Sequence, residues 1–196
     1  MHEWDGLNDR VRQVADAFAA EGYVALAADL YQGRTGSSRE ENMTLVEETR
    51  ANPRQIAANL NGAAACLRGR PDVGGRIGVM GWCFGGGVAL SYGIDGEAHD
   101  ATAMFYGQLV RDPEELKKTH HPIYGTFAGQ DQGIPQAVVE QFVEALRTAG
   151  IENDVHVYDE VNHGFWLWTD QDRATQEGPA LDAWQRLKAF PSKTLG

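Results

Sequence analysis

The sequence predicts an α/β fold, a mainly parallel β-sheet covered by helices. Two observations predict it. Short apolar runs alternate with amphipathic helical segments along the whole chain, and one run, Ile77-Gly78-Val79-Met80, leads straight into a glycine-rich turn and a further helix. Taken in order, Val11, Val14, Ala15 and Phe18 share one face of a helix from about Asp9 to Glu21, which Asn8 can cap and Gly22 can end. Tyr23 to Ala27 reads as a strand and Gly33 to Glu41 as a polar loop. Asn52-Pro53 opens a second helix with Ile56, Ala57, Leu60 and Leu67 on its buried face. After the Ile77 strand and its helix come strands at Ala101 to Tyr106 and Pro122 to Ala128, then a helix opened by Pro135 and ended by Gly150. A strand at Val155 to Tyr158 and a helix from Pro179 to Phe190 complete the series. No repeat, low-complexity stretch or linker interrupts it, so a single domain over residues 1–196 is expected.

Composition narrows the function classes. A chain of 196 residues, 42% hydrophobic and 23% charged, is that of an ordinary globular domain able to bury about 70% of its unfolded surface. The net charge of −11 argues against nucleic acid or an anionic membrane as partner. No apolar stretch approaches the ~20 residues that span a bilayer, and Met1-His2-Glu3-Trp4-Asp5 has no signal-peptide character. Two cysteines make no disulfide framework; Cys66 lies in a helical pattern and reads as core packing. A reducing, cytoplasmic setting is expected, in which a free thiol persists.

The chemistry centres on Gly81-Trp82-Cys83-Phe84-Gly85-Gly86. A Gly-x-nucleophile-x-Gly sequence between a strand and a helix is a nucleophile elbow, a turn so tight that flanking Cβ atoms find no room. Serine usually occupies the centre; here it is Cys83, and a thiol at a helix N-terminus feels the positive end of the dipole. The alternative is an ordinary buried cysteine. A thiol nucleophile needs a base and an acid that orients the base, arriving on loops after later strands. Of six histidines, His163 alone falls in a loop after the last strand, whereas His120 and His121 precede a strand and His156 lies inside one. Asp131 follows the Ile123 strand and is the favoured acid, with Asp159 its rival.

These residues together resemble the dienelactone hydrolases (carboxymethylenebutenolidases), cysteine members of the α/β-hydrolase superfamily. The resemblance also rests on His2-Glu3, on Leu7-Asn8 with the following helix, and on the stretch from Ala19 to Tyr31. It continues through Gly129-Gln130-Asp131 and Asn162-His163-Gly164-Phe165, and so covers nearly the whole chain. It implies an α/β-hydrolase fold, a three-layer α-β-α sandwich. It further implies a Cys83, Asp131 and His163 triad that cleaves lactones or carboxylic esters through a thioester, with no cofactor and no metal. The backbone N–H groups of Trp4 and Phe84 would form the oxyanion hole, and Glu3 would restrain the thiol until substrate displaces it. Trp82, Tyr106 and Trp166 point to an apolar substrate pocket, with core packing as their alternative role.

The family pattern is departed from in two places. The family's leading strands precede His2-Glu3, so a sheet truncated at the N-terminus is expected, with Trp4 on a fraying end. Either the Tyr23 strand then pairs with the elbow strand or a second copy of the chain, a homodimer, completes the sheet. Leu167 stands where the family's carboxylate-binding arginine is expected after the histidine, which favours a general carboxylesterase over a strict dienelactone hydrolase. A non-catalytic interaction protein is the competing reading. A redox role lacks a Cys-x-x-Cys pair, phosphate binding at Gly85-Gly86-Gly87 lacks the following Lys-Ser/Thr, and His120-His121 has no second pair at metal-ligand spacing.

Overall fold

The computed structural model describes residues 1–196, which form two compact units, Met1–Ile77 and Gly78–Gly196. The first is helical. Helix α1 (Asp9–Ala20) starts where the Asn8 side chain accepts the Val11 N–H at 3.2 Å, and it buries Val11 and Phe18. Helix α2 (Arg39–Arg50) begins inside the stretch expected to be a polar loop. Its start carries a capping signal, Ser38-Arg39-Glu40-Glu41: the Ser38 hydroxyl accepts the Glu41 N–H, and the Glu41 carboxylate accepts from Ser37. Asn42, Leu45, Val46 and Thr49 then form its buried stripe at helical spacing. Helix α3 (Pro53–Arg68) buries Leu60 and Ala64, and it leaves Cys66 exposed rather than in the core.

Residues Tyr23 to Ala27 form no strand. A strand exists only through its ladder partners, and this half-exposed segment, with Leu26 40% exposed, has none in a sheet. The chain start is not frayed either. His2 is fully buried, its Nε2 accepts the Leu30 N–H at 3.0 Å, its Nδ1 meets the Glu3 carbonyl at 2.7 Å, and the Tyr31 hydroxyl donates to the Trp4 carbonyl.

The second unit holds a four-stranded sheet in the order β1 (Gly78–Trp82), β2 (Ala101–Phe105), β3 (Ile123–Ala128), β4 (Asn153–Tyr158), every pair parallel. Because neighbours in space are neighbours in sequence, the crossovers run one way, and α4 (Phe84–Asp95), α5 (Pro113–Leu116) and α6 (Gln136–Ala149) share a face. Leu90, Met104, Leu116, Ile123, Phe127, Phe142 and Leu146 fill that layer, each contributing roughly 1.5–3 kcal/mol by burial. Strand alternation sends Tyr124 and Thr126 to the opposite face, which α7 (Arg173–Thr194) covers. There the Tyr124 hydroxyl donates to the Ala183 carbonyl at 3.1 Å and accepts from Thr126 at 2.8 Å. Three α-β-α layers result. Helix α7 starts earlier than its proline implied: Asp172 caps it, and Pro179 lies inside it.

At the N-terminal ends of β2 and β3, His99 and His121 share the buried Thr102 hydroxyl, at 3.0 and 2.8 Å. The His99 Nδ1 faces the Glu97 carbonyl at 2.8 Å and so carries hydrogen, which leaves its Nε2 to accept from Thr102 while Thr102 accepts from His121. This relay requires a neutral His99 ring. Burial, with His99 and His120 alongside, lowers the His121 pKa to about 4 despite Asp100, and burial lowers that of His2 to about 4. Both groups take up protons more readily when unfolded, so they erode stability as pH falls from about 6.5 towards 4; His2 alone accounts for about 3 kcal/mol. Imidazole NMR titration is expected to give midpoints near 4 for His2 and His121, and midpoints near 6.5 would contradict the buried, neutral assignment.

Candidate active site

Cys83 joins β1 to α4 with φ 51° and ψ −114°, a backbone conformation that side chains rarely adopt. Crowding imposes it. A Cβ on Gly81 would stand 2.1 Å from the Gly85 carbonyl oxygen, and one on Gly86 would stand 2.7 Å from that of Phe105. The strained residue is pinned on both sides: its N–H donates to the Phe105 carbonyl at 3.0 Å, and its carbonyl accepts from Gly86 and Gly87 at 3.1 and 3.2 Å. The thiol is thereby held, half-buried, at the N-terminus of α4.

Asp131 stands three residues past β3. Its Oδ1 accepts the N–H groups of Gly133 (2.8 Å) and Ile134 (3.2 Å), which aims Oδ2 at His163 Nδ1, 2.6 Å away. Asp131 is 7% exposed. Burial pushes its carboxyl up, but the His163 hydrogen bond and charge, with the two amides, outweigh it and hold the group below its usual range. His163 lies five residues past β4 in a turn closed by Phe165 N–H to Asn162 O and shaped by the left-handed Gly164. With Nδ1 committed to Asp131, Nε2 is the nitrogen left for Cys83, which is near enough to raise the ring's pKa. Burial pulls the His163 pKa down, yet the bonds and charges of Asp131 and Cys83 prevail and raise it to about 10. Asp159 is exposed and contributes only its backbone carbonyl, to Gln130.

Three residues expected near substrate are placed differently from one another. Trp82 is 2% exposed and stacked between Phe105 (5.3 Å) and Trp166 (5.5 Å); Trp166 in turn meets Trp184 of α7 at 6.0 Å. That column packs the sheet against α7, with Trp82 in its core and Trp166 half-buried. Tyr106 is 1% exposed and lies edge-on to the His163 ring, 4.8 Å between centroids. Phe84 opens α4, so its N–H is one of the helix's leading amides. In the first unit Glu3 is buried at 3% exposure, and Trp4 lies under the Arg39 guanidinium at 6.0 Å. Leu167 is buried. No three His, Cys, Asp or Glu side chains converge as a metal site would require, and no helix is long and apolar enough to cross a membrane.

A strained nucleophile position after one strand of a parallel sheet, with acid and imidazole on the loops after later strands, is the arrangement of the α/β hydrolases. Within that class the chain belongs to the dienelactone hydrolase family, whose profile matches residues 1–195. It is 31% identical over 202 residues to a "Putative carboxymethylenebutenolidase" of Methylorubrum extorquens, an alignment covering 96% of this chain and 68% of the relative. A protein of that same name in Synechocystis is 30% identical over 208 residues, covering 96% and 82%. The crystal structure of a "Putative Dienelactone Hydrolase" from Klebsiella pneumoniae superposes with a TM-score of 0.81 at 27% identity, covering 96% of this chain and 82% of that one.

The Asp131 contact is what lifts the imidazole. In Asp131→Asn the His163 ring, followed by NMR, is expected to titrate well below 10 and towards 6.5; a midpoint unchanged from the parent would show that the carboxylate does not set it.

Proposed function

We propose that Cys83, His163 and Asp131 form the catalytic triad of a carboxylic ester and lactone hydrolase. The supporting observation is a buried carboxylate hydrogen-bonded to an imidazole that lies within electrostatic reach of a thiol held on a strained elbow. In the reaction His163, whose raised pKa keeps it protonated, holds the proton on Nε2 while the sulfur attacks the carbonyl carbon, giving a tetrahedral oxyanion. The oxyanion collapses, the C–O bond to the leaving alkoxide breaks, and the imidazolium returns its proton to that oxygen. Water, deprotonated by His163, then attacks the thioester and releases the acid and the thiol. Asp131 stays ionised throughout, fixing the ring with Nδ1–H inward.

The N–H of Phe84 serves as an oxyanion donor, as the family resemblance assigns it; such a donor contributes about 3–4 kcal/mol in the transition state. Trp166, half-buried beside the histidine loop, is the aromatic residue best placed to meet an apolar acyl or alcohol group. The buried Leu167 supplies no charge to hold a substrate carboxylate, so uncharged short esters are the favoured substrates. A thiol mechanism of this kind suits a reducing cytoplasm.

Cys83→Ala is expected to lower kcat for p-nitrophenyl acetate by ~10⁴-fold or more, and iodoacetamide is expected to inactivate a Cys66→Ser protein in step with alkylation of Cys83. Retention of near-parental turnover by Cys83→Ala would remove the thiol from the mechanism.

A further inference from the structure

We propose that Tyr106 is a positioning residue, a strained aromatic wedge that holds the His163 ring in line between Asp131 and Cys83. This inference rests on the triad reading above. In the Gly78–Gly196 unit Tyr106 and Cys83 are the only non-glycine residues with positive φ, 36° and 51°. They are strained by the same crowding. The end of β2 and the start of α4 press so closely that a Cβ on Gly107 would stand 2.3 Å from the Gly87 nitrogen, while Gly86 abuts the Phe105 carbonyl and the Gly107 Cα. The Phe105 carbonyl accepts the Cys83 N–H at 3.0 Å, and the Tyr106 N–H donates to the Thr126 carbonyl at 2.8 Å, so the backbone is fixed on both sides of the bend. Between these fixed points the chain turns through the left-handed region at Tyr106.

Glycine would occupy that conformation without strain, so the side chain must justify its presence. The turn carries the Tyr106 ring to the imidazole, 4.8 Å away and inclined at 61°, with Phe165 behind it at 6.1 Å and Tyr158 behind Phe165 at 5.4 Å. The hydrogen bond to Asp131 fixes one nitrogen of His163 but leaves the ring free to swing about it; an edge-on aromatic neighbour opposes that swing. The elbow that strains the nucleophile therefore also aims its base, through one shared backbone contact.

The test uses the full chain carrying Cys66→Ser, with Tyr106→Gly and Tyr106→Phe. Glycine relieves the backbone but removes the wedge. It is expected to unfold in urea near the parental midpoint, yet to lose about 10²-fold in kcat for p-nitrophenyl acetate with little change in KM. Its profile of Cys83 alkylation rate against pH, measured with iodoacetamide, is expected to depart from the parental one, with slower alkylation near neutral pH. Phenylalanine restores the ring and is expected to recover most of kcat and the parental alkylation profile. Should the glycine variant fail to fold, Tyr106→Leu must show the same paired changes. Parental kcat and profile in the glycine or leucine variant, or no recovery with phenylalanine, would overturn the proposal. If the parent shows no Cys83-dependent turnover, the hydrolase reading fails; the alkylation profiles still report whether Tyr106 aligns His163 with the thiol and decide this proposal separately.

Discussion

The whole site depends on a close approach of two pieces of backbone. The start of α4 lies against the end of β2, near enough that Gly86 and Gly107 each exclude a Cβ, and against the end of β1, where Gly81 does the same. Across that contact the chain runs through positive φ at Cys83, which presents the thiol at a helix N-terminus. Backbone strain of this kind costs of order 1–3 kcal/mol per residue and persists only where surroundings enforce it. Here they do. Two strands flank the turn with ladder hydrogen bonds, and an apolar layer anchored by Phe142 and Leu146 holds α4 and α6 against them.

Electrostatics completes what geometry begins. The second unit carries 17 of the 28 acidic residues but only 8 of the 17 Lys and Arg residues, so an exposed cation has many screened partners and little specificity. Asp131 acts differently because it is buried, satisfied on one oxygen by two amides, and left with a single lone-pair direction for His163. The imidazole is raised by that contact and by Cys83, which together outweigh the effect of burial.

Much of this was legible in the sequence because the elements concerned are locally specified. The elbow, the parallel order of β1 to β4, and the positions of Asp131 and His163 after their strands follow from glycine spacing and apolar runs. Helix α2 was hidden by its polar composition, although the Ser38 capping box and the Asn42, Leu45, Val46, Thr49 stripe were there to be read. The Tyr23 segment has strand propensity, but a strand is a property of pairs, and propensity cannot supply the neighbour. Cys66 sits within a helical pattern whose buried face falls elsewhere, on Leu60 and Ala64. The surroundings of Trp82 and Tyr106 could not be told apart by sequence, since an aromatic residue has one composition whether it packs among other rings or meets an imidazole. Their surroundings separate them: stacked indoles in one case, an imidazole edge in the other.

A covalent account makes a covalent demand. Rapid acid quenching of the protein during turnover of p-nitrophenyl acetate, followed by peptide mass spectrometry, should find one acetyl group on the peptide containing Cys83 and none on that containing Cys66. Turnover with no acyl group on Cys83 at any quench time, including in an Asp131→Asn protein slowed in deacylation, would contradict nucleophilic catalysis by this thiol.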